Sequence, residues 1–203
     1  MNLENVRSPV KYTGKMTDDE AHERILTAAE DLYYVKGFAA VGMDELRTAA
    51  GVSLRRLYAL FPSKGDIVVA VLNRRHEQWE NAVAAKVAAA GPDPRSQLLA
   101  VYDYLSDWFC TGNFRGCAFI NAFGELGGTH PEVAALVREH KLSFQRYMAG
   151  LVQQLGASEV LGPQLSILAE GAQSTAAISS DPQAALQARS AAEVLIDAAL
   201  AAA

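Results

Sequence analysis

The side chains best placed to do chemistry in this sequence are cations. Between Arg47 and Arg75 stand six basic residues (Arg47, Arg55, Arg56, Lys64, Arg74 and Arg75) against one acidic residue, Asp66, a local balance of +5 in a chain whose formal net charge is −5. Guanidinium and ammonium groups at this density suit phosphate, and an arginine can also read a guanine edge bidentately. A local patch, not the net charge, decides nucleic-acid binding, so the acidic remainder does not exclude it. Catalytic constellations are missing. His22, His76, His130 and His140 show no zinc-ligand spacing. His76-Glu77 is followed by Gln78-Trp79-Glu80, where a zincin helix needs a second histidine. There is no glycine-rich phosphate loop and no nucleophile elbow. The residues therefore predict neither an enzyme nor a metal or cofactor site. Cys110 and Cys117 lack a CxxC spacing and read as small buried hydrophobes, with a redox pair as the alternative.

Positioning those cations falls to the stretch Met43 to Lys64, MDELRTAAGVSLRRLYALFPSK. It reads as two short helices joined by a tight turn. Gly51 supplies the left-handed backbone that a helix end needs, and Ser53 is placed to cap the second helix. Leu46, Val52, Leu57 and Phe61 are spaced to face inward, and Ala49 and Ala50 let the helices cross closely. At about 100° per residue, Leu57, Leu60 and Phe61 share one side of the second helix. Arg55 points the other way, flanked by Arg56, Tyr58 and Ala59. That is the shape of a helix-turn-helix that reads DNA. Lys64, at a helix N-terminus, and Tyr58 are expected to hold phosphates, and Arg55 a base edge. The full expected DNA side is Met43, Ser53, Leu54, Arg55, Arg56, Tyr58 and Lys64.

The run AAGVSLRRLYALFPSKGDIVVAVL resembles the signature of the TetR family of transcriptional repressors: a small-residue helix, GVS, a Leu-Tyr pair, a Phe, then Ser-Lys opening a long helix. The likeness covers roughly Glu23 to Leu72. Gly42 departs from it, standing where the family usually has a capping Thr. Leu54, Arg55 and Arg56 stand where small or polar residues are common. The resemblance implies a homodimer on a near-palindromic operator and a ligand cavity in the C-terminal region. Its candidate lining is Trp79, Tyr102, Trp108, Phe119, Phe123, Phe144 and Tyr147, with Asn121, Glu125, His140 and Gln173 as polar groups. Glu125 either points inward, favouring a cationic ligand, or pairs with an arginine such as Arg115.

The rest of the chain reads as helices. With 203 residues, 50% of them hydrophobic, it can bury one or two cores, and its Ala-rich, β-branched-poor composition predicts an all-α protein. Met1 to Lys15 lacks periodicity and is expected to be a disordered tail, with a basic arm of Arg7, Lys11 and Lys15 as the alternative. Residues 16–62 form the expected three-helix, homeodomain-like head. Thr17 and Glu20 make a capping box for its first helix, and Gly37 stops that helix. Residues 63–203 form the expected ligand-binding and dimerisation bundle. A helix from Lys64 to about Ala89 links the two as a lever. Four more long helices and a short one, Cys117 to about Leu126, follow, broken at Gly91–Pro94, Gly127-Gly128 and Ser179–Pro182. The last two helices, with Leu165, Leu168, Ala172, Leu186, Ala191, Leu195 and Ile196 apolar, are expected to form a four-helix bundle with their two-fold mates. No apolar run approaches the ~18 residues that span a bilayer, so a cytoplasmic location is expected. The reading is a ligand-responsive repressor released by a small, largely apolar effector. Its alternative is a helical interaction module without sequence-specific DNA binding.

Overall fold

Several of the helix ends carry a local signal. In the computed structural model, which describes residues 16–202, Thr17 accepts from the Glu20 N–H at 3.2 Å and the Glu20 carboxylate accepts from the Thr17 N–H at 2.9 Å. This capping box starts α1 (Asp18–Lys36), and Gly37, at φ 88°, stops it. α2 (Met43–Ala50) begins at Gly42, which has no side chain to cap it. α3 (Leu54–Leu60) begins at Ser53, whose Oγ accepts from the Arg56 N–H at 3.2 Å, and ends before Pro62. Ser63 and Asp66 form a second capping box for α4 (Lys64–Ala89). Asp93 caps α5 (Pro94–Phe109). Then come α6 (Ala118–Leu126), α7 (Pro131–Leu155), α8 (Leu161–Ser179) and α9 (Gln183–Ala201). The described residues contain helices and no strand, as the composition predicted. The tail and its basic arm lie outside the described residues.

Two cores hold these helices together. The first joins α1, α2 and α3 to the start of α4, through Ile25, Tyr33, Leu46, Leu57, Phe61, Ile67 and Leu72. It does not stop at Phe61: Cys117, Phe119, Ala122 and Leu126 of the α6 region and Val133 and Val137 of α7 belong to it too. The second core is built by the end of α4 with α5, α7, α8 and α9, around Leu98, Tyr102, Leu105, Met148, Leu165 and Ile196. α4 runs through both. It gives Ile67, Val68, Val71 and Leu72 to the first and Val83 and Val87 to the second, and from Asn73 to Ala82 it buries no side chain fully. The seam between the cores therefore falls at mid-α4.

Two expectations need correction. Cys110 is exposed and Cys117 is buried, so only one of the cysteines behaves as a core residue. The apolar residues chosen for the dimer face mostly serve the protomer itself: Leu165, Ala172 and Ile196 are buried in the second core, and Leu168 and Leu195 pack against it. Of the chosen residues Leu186 and Ala191 are exposed, and the other large apolar side chains these two helices leave exposed are Ile167 at 70%, Ile178 at 87% and Val194 at 67% exposure, with Leu200.

Candidate nucleic-acid interface and effector cavity

α2 and α3 meet at Gly51, which holds φ 68° and ψ 34°. The N–H groups of Gly51 and Val52 return to the Thr48 and Arg47 carbonyls at 3.2 and 3.0 Å, closing the turn. A Cβ there would find room, the nearest atom being Arg24 Nη1 at 3.8 Å, so the positive φ is what requires glycine. Leu57 is fully buried beneath α3, with Phe61 beside it. Arg55, Tyr58 and Ala59 are exposed, as the 3.6-residue period predicted; Leu54 joins them, and Arg56, expected beside them, is half-buried.

The cations of this region are not a patch in space. Arg47 is paired with Asp44 on its own helix at 2.8 Å. Arg56 reaches across α3 to the N-terminus of α1, donating to the Met16 carbonyl at 2.6 Å and to Asp18 at 2.8 Å. Arg74 is held by Glu23 and Glu30, and Arg75 by Glu30 at 3.0 Å, with its guanidinium over the Tyr34 ring. Lys64 donates to the Ala39 carbonyl at 3.0 Å, and partial burial lowers its pKa, opposed by nearby Glu125. The +5 counted along the sequence is thus largely answered by carboxylates of α1. Among the described residues no carboxylate lies within ion-pair reach of Arg55, which is exposed at the outward pole of α3. Met43 is half-buried against the first core, and Ser53 is exposed beside its cap bond.

Glu125 takes neither of the roles expected of it. It is exposed on α6 and accepts from the Ala39 N–H at 2.7 Å, in the loop between α1 and α2. At the other end of α6, the Tyr34 hydroxyl accepts from the Arg115 N–H at 2.8 Å and donates to the Gly116 carbonyl at 3.1 Å. α6 is therefore tethered to the head at both ends.

The seam at mid-α4 contains two cavities. The first, about 230 Å³, is walled by Trp79, Tyr104, Trp108 and Phe119, with Arg75, Gln78, Cys117 and His140 supplying polar atoms. The second, about 310 Å³, lies between α4 and α7 and is lined by Trp79, Phe144 and Tyr147 with Glu80, Asn81 and Ser143. Trp79 is common to both, and packs edge-on against His140 and Phe144 with ring centres 5.1 and 5.2 Å away. Six of the sequence candidates thus gather here: Trp79, Trp108, Phe119, His140, Phe144 and Tyr147. Five do not line these two cavities. Tyr102 is buried in the second core, its hydroxyl donating to the Leu165 carbonyl at 2.7 Å, and burial raises its pKa. Gln173 is buried on α8 and donates to the Ala169 carbonyl of its own helix. Asn121, Phe123 and Glu125 lie on the exposed side of α6. Sequence reasoning missed Tyr104, Arg75 and Gln78. Tyr104 was the findable one, since it stands four residues before Trp108 and shares its helix face.

His140, in the wall of the first cavity, is paired behind that wall with His76. His76 Nδ1 and His140 Nδ1 are 2.9 Å apart. His140 is 5% exposed and stacks flat on Phe119, ring centres 3.5 Å apart. Burial, with Lys141 and His76 nearby, lowers its pKa to about 3, so it is neutral. His76 Nε2 faces Glu80 Oε1 at 3.5 Å, and the same carboxylate oxygen accepts the Ser143 hydroxyl.

An all-α chain with a helix-turn-helix head and a cavity-bearing helical bundle has the architecture of a transcriptional regulator. Comparison with known proteins narrows this. The family profile described as bacterial regulatory proteins, tetR family, matches residues 25–71. A TetR transcriptional regulator from Streptomyces avermitilis shares 30% identity and a TM-score of 0.73, over 88% of this chain and 97% of that one. SCO4454, a TetR-family transcriptional regulator from Streptomyces coelicolor, shares 29% identity and a TM-score of 0.84, over 91% and 92% of the two chains. The chain belongs to the TetR family of transcriptional regulators, which are DNA-binding proteins and not enzymes. Among curated proteins, the repressor NemR of Escherichia coli is 27% identical over 113 residues, 55% of this chain and 57% of NemR. The match thus spans little more than half of that relative. Among the described residues no helix is long and apolar enough to cross a membrane.

Proposed function

We propose that this regulator is a cytoplasmic, ligand-responsive repressor. It binds a near-palindromic operator as a homodimer and is released by a small, largely apolar effector held at mid-α4. The observation that carries the DNA half is Arg55, exposed and unpaired on the one face of α3 that the first core does not use. Arg55 reads a base edge, Tyr58 and Lys64 hold phosphates, and Arg56 fixes α3 against α1. Residues 16–62 act as the DNA-binding domain and the remainder as the effector and dimerisation domain. The exposed Ile167, Ile178 and Val194 of α8 and α9 supply the dimer contact, in place of the inward residues first expected. Effector release follows only if the ligand favours a conformation whose heads no longer match the half-sites. α4 transmits the change together with α6, whose two tethers reach the loop after α1 and α1 itself.

The test is fluorescence anisotropy of the full chain on DNA flanking its own gene, with unrelated DNA of equal length as control. The proposal expects operator binding at least ~10³-fold tighter than binding to the control. Equal affinity for both would contradict it. The alternative, an interaction module without sequence-specific DNA binding, expects that equal affinity; family membership supports the regulator reading over it.

A further inference from the structure

The cavity at mid-α4 offers one polar atom whose chemistry can be worked out. The His140 ring lines the cavity, is almost wholly buried, and uses one nitrogen on His76. Its other nitrogen, Nε2, makes no hydrogen bond among the described residues and is not one of the sealed, unpartnered polar atoms (Tyr33 Oη, Arg74 Nε and Glu170 Oε1), so it keeps some open surface. A polar atom at a cavity wall is free to meet water or a ligand. Resting on the reading of this cavity as the effector site, we propose that His140 Nε2 anchors the effector as a hydrogen-bond acceptor at neutral pH, and that the fitting effector is a neutral, planar aromatic molecule carrying a hydroxyl or N–H donor.

The acceptor sense follows from counting protons. The short Nδ1···Nδ1 contact holds a single proton, because two N–H groups or two lone pairs facing each other would repel. Around the pair stand Arg75 and Glu80 of α4, Lys141 of α7, Cys117 and Phe119 of the α6 region, and Tyr104 of α5. Glu80 is the carboxylate within ion-pair reach of His76. A carboxylate only accepts, so it draws a proton onto His76 Nε2. A neutral His76 then has a bare Nδ1, and the shared proton must sit on His140 Nδ1. Neutral His140 has no second proton, which leaves its Nε2 bare.

Ring faces and charge set the rest of the ligand class. Trp79, Tyr104, Trp108 and Phe119 present aromatic surface around about 230 Å³, which suits a flat molecule of one or two rings. Arg75 disfavours a cation here. Its pairing with Glu30 and its seat on Tyr34 leave it little to offer an anion.

The probes are 2-naphthol, which can donate, and 2-methoxynaphthalene, which has the same rings and cannot. Both stay uncharged over the range used, since phenols ionise near pH ~10. Calorimetric titration of the full chain at about pH 8 should show 2-naphthol binding about tenfold tighter, the worth of one net hydrogen bond. His140→Phe keeps a ring on Phe119 and removes both nitrogens, and should erase the preference. Equal affinity of the wild-type chain for the two probes, or a preference that survives His140→Phe, overturns the anchor while leaving the cavity as an effector site. Failure of the wild-type chain to bind either probe overturns both.

Discussion

The two ends of α4 are built alike, and its middle is not. From Lys64 to Leu72 the helix sinks four aliphatic side chains into the core it shares with α1, α2 and α3. At Val83 and Val87 it enters a second core. Between them, Arg75 and Trp79 are half-buried and face open space. A packed core resists small changes of shape and moves as a body, whereas a seam lined with aromatic rings can be filled. Under the proposed function, this contrast lets one helix present α3 rigidly and still carry a site through which an effector would alter how the two ends sit. A second contrast runs across α8 and α9, which have one apolar face turned into the protomer and another turned out.

The largest expected effect would break this second contrast. Ala172 faces inward and is buried. Ala172→Arg puts an unpaired charge in the second core and should cost at least about 4 kcal/mol, lowering Tm by roughly 10 °C. Val194 faces outward, so Val194→Arg should leave far-UV circular dichroism intact and convert the proposed dimer to monomer in sedimentation. A folded Val194→Arg dimer would place the interface elsewhere.

The next effect concerns the seam. The folded pKa of His140 lies near 3, below the ordinary imidazole value of about 6.5. On acidification the unfolded chain takes up the proton first. The stability this group contributes is therefore complete above about pH 6.5 and is lost as pH falls toward 3, by roughly 3 kcal/mol at about pH 4. His140→Phe should flatten the acid limb of a Tm–pH profile relative to wild type. An unchanged limb would mean that another group sets it.

The smallest effect sharpens the picture of the head. Gly42 opens α2 without a side-chain cap, and a Cβ there would meet nothing within 4 Å. Gly42→Thr should stabilise the chain by a few tenths of a kcal/mol, visible as a slight rise in the urea midpoint at unchanged slope. A fall in that midpoint would show that the Thr hydroxyl does not reach the orphan N–H groups.

What could be read in the sequence was local. The capping box at Thr17, the left-handed Gly51 and the α4 boundaries follow from residues a few positions apart, and all appear as expected. What escaped depends on distant partners. The carboxylates that neutralise Arg56 and Arg74 lie 38 to 51 positions away on α1, so a charge count along the chain overstated the patch. Glu125 answers an N–H group 86 positions distant. In α8 and α9 the many alanines and serines blur the period, so the inward and outward faces could not be told apart. Tyr102 and Tyr104 show how narrow the margin is. Two residues apart on one helix, they point about 200° from each other, one into the core and one into the cavity.

Arg55 carries the account's central claim, that the outward face of α3 reads DNA sequence. The most direct test measures wild type, Arg55→Ala and Arg56→Ala against the operator and a set of single-base variants over a salt series. Arg55→Ala should lose roughly 1–3 kcal/mol per half-site and become indifferent at one base pair in each. Arg56→Ala, which loosens α3 from α1, should weaken binding to every variant alike. If Arg55→Ala keeps the full base preference of the wild type, α3 does not read the groove through this residue, and the account is contradicted.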